Sequence, residues 1–118
     1  VAVGGTSITL PITRAGTYLV FARASLDFRG ATFAANRQIT AKIRNTATSA
    51  DVPNLTGNFF TPVITTLTYT EGILALAPVV YSTNVTTDVL TLLARIAVVP
   101  TAGTVEIAEA SIVAVKLY

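Results

Sequence analysis

Apolar and polar positions along the chain alternate with the period of two that marks β-strands, and no stretch carries a convincing helical period. The cleanest case is RQITAKIRNT, where Ile39, Ala41 and Ile43 take one face and Thr40, Lys42 and Arg44 the other. TSITLPI sets Ile8, Leu10 and Ile12 against Ser7, Thr9 and Pro11, and its proline points to an edge or a strand end. TYLVFARASLDF puts Val20, Ala22 and Ala24 inward and Arg23, Ser25 and Asp27 outward, with Leu19 and Phe21 sharing the outward face. DVLTLLARIAV reads as a long, largely buried strand. The last stretch, EASIVAVKLY, is different. One face carries Ser111, Val113, Val115 and Leu117, the other Ala110, Ile112, Ala114, Lys116 and Tyr118. A strand with one wet face alternates apolar with polar; here both faces are mostly apolar, so a single core leaves one of them uncovered.

Turn residues separate these runs. RAG, STNVTTD and PTAG read as turns, RGATFAAN as a loop, and ATSADVPNLTGN as a long loop, because Asp, Pro, Gly and Asn cluster in it. TPVITTLTYT is a Thr-rich strand, and EGILALAPVVY is two short strands or one bent at Pro78. The sum is about eight strands rich in Val, Ile and Thr, which prefer the pleated sheet. There is no internal repeat or domain boundary. The expectation is one all-β domain over residues 1–118, an eight-stranded antiparallel sandwich with Val20, Ala22, Ile39, Ile43, Leu90 and Leu92 in its core.

Composition sharpens the question posed by the last strand. Of the 118 residues, 52% are apolar and 12% charged, whereas a typical domain carries ~25% charged residues. A folded monomer of this size exposes roughly 6,000 Å². Eight Lys and Arg and six Asp and Glu are sparse on that area and leave a net charge of +2. Sparse charge with a surplus apolar face marks an association surface. The basic residues are scattered singly, so nothing tracks a phosphate backbone and nucleic acid is not an expected partner. The most apolar run, Val89 to Pro100, is too short to span a bilayer and contains Arg95. The chain has no signal peptide and does not begin with Met, so a fragment or processed product is expected.

Candidate chemistry is thin. With no Cys and no His, the chain lacks a thiolate nucleophile, the usual zinc ligands and the usual general base. Glu106 and Glu109 stand three apart on a strand and so point to opposite faces, a poor acid–base pair. Glu71 and Asp88 flank turns and read as solvated acids, and Asp27, Asp51 and Asp88 form no calcium-type loop. Arg37 shares the parity of Ile39, which places it at the mouth of its strand or against a carboxylate. Phe59, Phe60, Tyr69 and Tyr81 read as packing residues before sugar-stacking ones. The sequons at Asn54 and Asn84 read as coincidences of spacing. No enzymatic activity, cofactor or metal is expected.

The order of the segments RAGTYLVFARASL, ITAKIRN, VVYSTNVTTDVLTLLARI and GTVEIAEASIVAVKLY resembles the jelly roll of tumour-necrosis-factor-like and complement C1q-like domains. Gly16-Thr17-Tyr18 falls where that family opens a central strand, and Lys42 to Asn45 where a strand ends in a polar turn. Thr87-Asp88 falls at the turn before a long apolar strand, with Thr87 where the family has Gly. ATFAANRQITAKIRNTATSADVPN is closer to modules of phage and prophage structural proteins. The resemblance implies a two-sheet jelly roll that assembles as a homotrimer with its final strand near the threefold axis. The interface candidates are Leu19, Phe21, Tyr81, Ile112, Val113, Ala114, Val115 and Tyr118. It implies a virion or extracellular location and a non-enzymatic role as a tail-fibre tip, receptor-binding head or capsid decoration. Expected partners are further copies of the chain, other virion or filament proteins, and a host-surface glycan or protein. The alternatives are a carbohydrate-binding head and a surface-filament subunit assembled by strand exchange.

Overall fold

The computed structural model describes residues 2–5, 8–61, 63 and 70–118. The described residues form eight strands: β1 (Gly4–Gly5), β2 (Thr9–Ile12), β3 (Gly16–Thr32), β4 (Gln38–Asn45), β5 (Ala50–Phe60), β6 (Thr70–Thr83), β7 (Asp88–Ile96) and β8 (Ala102–Lys116). Most of TPVITTLTYT, including Tyr69, lies outside the described residues.

The strands form two four-stranded sheets, β1-β8-β3-β6 and β2-β7-β4-β5. Pairing β4 with β5, β3 with β6, β2 with β7 and β1 with β8 is the folded-over long hairpin of a jelly roll. The sandwich measures 50 × 20 × 19 Å, elongated along its strands. One pairing departs from the all-antiparallel expectation: β1 runs parallel to β8 through Gly4↔Glu106 and Gly5↔Ile107. The N-terminal segment otherwise runs antiparallel to β7, from the Ala2↔Arg95 bridge to Ile12↔Asp88. Consecutive strands β7 and β8 run in opposite directions, so a segment that leaves β7 briefly for β8 meets it parallel.

The six core residues expected from alternation are all buried, Val20, Ile39, Ile43 and Leu90 completely. They interdigitate between the sheets with Leu26, Leu55, Leu74 and Phe28. Phe28 meets Phe33 edge-on at 6.1 Å and Phe59 at 5.7 Å. Against β6, β5 carries Gly57: a Cβ there would lie 2.4 Å from the carbonyl oxygen of Ala75.

Two expected loops are strands. ATSADVPNLTGN falls largely within β5, which buries Val52, Leu55 and Gly57. Pro53 and Asn54 fall in one bulge, while Gly57 and Asn58 pair regularly with β4. The register steps from Lys42↔Thr56 to Arg44↔Asp51, and Asn54 within it has φ 63°. β5 is an edge strand, where a proline and a bulge leave the interior hydrogen bonds of the sheet intact. RGATFAAN likewise begins as the end of β3, with Ala31 and Phe33 buried. β6 is one strand, and Ala77 and Pro78 form its bulge, since Val20 pairs with Val79 and Ala22 with Leu76. Among the described residues no helix is long and apolar enough to cross a membrane.

Candidate functional site

The outer faces of the two sheets differ in chemistry. On the β8-β3-β6 side, Leu19 pairs with Val115 on one side and Val80 on the other, and Phe21 pairs with Val113. Paired residues share a face, and here it points away from the core: Phe21 is 41% exposed, Val80 59%, Val113 51% and Val115 48%. Leu117 and Tyr118 prolong the exposed apolar surface at the end of β8. Further along the strands the same face turns polar, through Arg23↔Ser111 and Ser25↔Glu109.

This divides the expected interface residues. Leu19, Phe21, Val113 and Val115 lie together on the outer face, with Tyr118 beyond the strand end. Ile112 does not belong with them. It pairs with Ala22 and is 7% exposed within the core. Ala114 faces inward opposite Val20 and packs against the core, and Tyr81 pairs with Tyr18 on the inner side of β6. Ile112, Ala114 and Tyr81 are therefore spent inside the protomer. Val80 is the residue that sequence reasoning passed over, because the bulge at Pro78 hides the parity of β6.

On the β7-β4-β5 side the outer face is hydroxyl-bearing and cationic. Register sets three rows across the strands: Arg95–Thr40–Asn58, Leu93–Lys42–Thr56 and Thr91–Arg44–Asp51. The first two rows and Arg44, with Ala2 at one rim, line a groove of about 600 Å³. Lys42 Nζ lies 2.9 Å from Asp51 Oδ2, and Arg44 Nε 4.0 Å from Asp51 Oδ1.

Two carboxylates are buried; Asp88 corrects the expectation of a solvated acid, whereas Glu71 is exposed as expected. Asp88, at the start of β7, is only 4% exposed. Asn45 Nδ2 donates to its Oδ1 at 2.8 Å, and the Tyr81 hydroxyl donates to its Oδ2 at 2.5 Å. Asn45 Oδ1 in turn accepts from the backbone N–H groups of Ala47 and Val89. Hydrogen bonds from Thr83, Tyr81 and Asn45 hold Asp88 below the usual carboxylate range despite its burial. Burial, then Asp88 itself, pushes Tyr81 up to about 12. Both groups are thus driven away from neutrality, opposite to what a general acid or base at neutral pH needs. The network is a clasp joining the ends of β4, β6 and β7.

Asp27, the second, accepts from Arg29 Nε at 2.9 Å through Oδ2, while its buried Oδ1 has no hydrogen-bond partner among the described residues. Glu106 lies 3.9 Å from the same Arg29. The expectation that Glu106 and Glu109 face opposite ways fails here. The register steps from Ser25↔Glu109 to Leu26↔Ile107, and this inserted residue brings both glutamates to the face of Ser25 and Asp27. Arg37 sits at the mouth of β4, its backbone tied to Thr61. Phe59 packs on Phe28, while Phe60 is exposed at the end of β5. Among the described residues no group of three acids is arranged to hold a metal ion.

A scan against protein-family models and a search of curated proteins both return no match to this sequence.

Proposed function

We propose that the chain is a non-enzymatic structural and interaction module that assembles with copies of itself through the outer face of β8, β3 and β6. The observation that carries this is the cross-strand apolar cluster of Leu19, Phe21, Val80, Val113 and Val115, three strands wide. Burying a Val, Leu or Phe side chain fully is worth ~1.5–3 kcal/mol, so half-exposed side chains retain roughly half of that to gain. Summed over the cluster this is about 4–8 kcal/mol per chain, enough to offset the cost of association when several chains close into a ring. The cluster itself holds no charged residue, and Arg23 and Glu109 lie further along the strands, so a second copy meets the cluster without unpaired ions. A threefold ring covers the face on every chain and leaves no open end. The resemblance to trimeric jelly rolls of virion proteins supports a role as a head, fibre tip or decoration on a particle or cell surface. Assembly by strand exchange has less support, because the N-terminal segment is docked on its own β7 and β8.

The chain has no cysteine, which allows a direct test. Val115→Cys and Thr56→Cys place single thiols on the two outer faces. In the native assembly maleimide labelling should be slow at position 115 and fast at 56. Equal rates would refute self-association through β8-β3-β6.

A further inference from the structure

We infer that the groove on the opposite sheet is a binding site for a carboxylated saccharide. The rows across β7, β4 and β5 set its chemistry. Arg95 and Lys42 are diagonal neighbours on one face, since Arg95 pairs with Thr40 and Lys42 with Leu93. Diagonal neighbours lie ~7–8 Å apart at their backbones; Lys42 Nζ is shared with Asp51 at 2.9 Å, so Arg95 is the primary cation for an anionic group and Lys42 adds positive charge beside it. Asp51 is the only acid lining or bordering the groove among the described residues, and it stands at the far corner beside Lys42 and Arg44. Arg95 has no carboxylate within ion-pair distance among the described residues, so the groove has surplus positive charge at its Arg95 end.

The remaining lining fits a hydroxyl-rich ligand. Thr40 and Thr56 offer hydroxyls that donate or accept. Asn58 accepts from Gln38 through Oδ1, which leaves its N–H₂ group as the donor. Leu93, partly exposed between the cations, offers an apolar surface for the face of a sugar ring. A volume of about 600 Å³ falls within the ~300–1,000 Å³ of small-molecule sites and holds one or two sugar rings. Among the described residues no aromatic platform lines the groove, so the affinity of one site is modest, and repetition around a ring supplies avidity. This deepens the reading of a surface-binding head, on which it rests for its biological setting. The groove itself lies on the sheet turned away from the proposed self-association face.

The test is a titration of the native, isotope-labelled chain followed by amide resonances, with the unsulfated chondroitin disaccharide, which carries one glucuronate, as the probe and lactose as the neutral control. The disaccharide should shift residues 40, 42, 56, 58, 93 and 95 with a dissociation constant on the order of 1 mM. Lactose should bind at least about tenfold more weakly, as should the disaccharide to Arg95→Gln, because a charge-assisted hydrogen bond is lost in each case. Arg95→Lys should recover part of the loss, and raising salt should weaken binding. Absence of shifts at these residues, equal binding of lactose, or unchanged affinity in a folded Arg95→Gln chain would overturn the assignment. So would tighter binding of a glutamate-rich peptide, which would identify an acidic polypeptide as the occupant. Labelling at position 115 reads the other face, so either result here leaves the self-assembly test independent.

Discussion

Replacing Ile112 and Val113 in turn by Asp separates the inside of the protomer from its outside with adjacent residues of one strand. Ile112 is 7% exposed and packs between the sheets. Ile112→Asp forfeits ~2–5 kcal/mol of packing, and the buried, unpaired carboxylate adds several kcal/mol more. The total rivals the ~5–15 kcal/mol that stabilises a domain of this size, so this variant should not fold. Val113 is 51% exposed in the single chain. An Asp there changes protomer stability by no more than about 0.5 kcal/mol. In the assembly it replaces an apolar contact with a desolvated charge, costing at least ~3 kcal/mol per chain and weakening association by ~100-fold or more. Far-ultraviolet circular dichroism with sedimentation velocity reads both effects. The expected pair is an unfolded Ile112→Asp chain and a folded, dissociated Val113→Asp chain. A folded Ile112→Asp chain would refute the assignment of the inner face. A Val113→Asp chain that sediments like the wild type would refute the role of the outer one.

Other consequences follow from particular contacts. Asp88 is held below its usual range, so its stabilising contribution is present above the unfolded pKa of ~3.9 and lost as pH falls through the lower folded value; thermal melts should drop in that window, and Asp88→Asn should flatten the drop. Tyr81 is pushed up to about 12, so its contribution is intact below the unfolded value of ~10 and disappears as pH rises from there through about 12; Tyr81→Phe should remove that alkaline loss. Gly57→Ala places a methyl 2.4 Å from the Ala75 carbonyl oxygen, and urea titration should show a destabilisation of ~1–3 kcal/mol. Arg29→Gln removes the charged partner of buried Asp27. Because Arg29 is largely exposed, the expected loss is only about 1–2 kcal/mol, and Asp27→Asn in the same background should recover part of it.

The strands that sequence made legible are those whose alternation is unbroken. β4 reads correctly because Ile39, Ala41 and Ile43 all meet the opposite sheet while Thr40, Lys42 and Arg44 meet solvent or the groove. Bulges account for the main errors. One hides β5 behind Pro53 and Asn54, one conceals the parity of Val80 beyond Pro78, and one brings Glu106 and Glu109 to the same face. Each inserts residues without changing the composition that pattern reading relies on. Parity alone also left Ile112 and Val113 equivalent. What distinguishes them is the second sheet, which covers Ile112 and not Val113. The burial of Asp88 was illegible for a related reason: its partner Asn45 is 43 residues away, and Tyr81 reaches it only across the turn between β6 and β7. The groove depends on the register of β7 against β4, which places Arg95 beside Lys42 and cannot be read from either strand alone.

The central claim, that copies of this chain cover the apolar face of β8-β3-β6, is tested most directly by the mass of the native protein in solution. Multi-angle light scattering at micromolar concentration should give three times the chain mass of 12.3 kDa, stable on dilution over about a decade. A single stable species of 12.3 kDa would contradict the account and leave Phe21, Val80, Val113 and Val115 to a partner other than the chain itself.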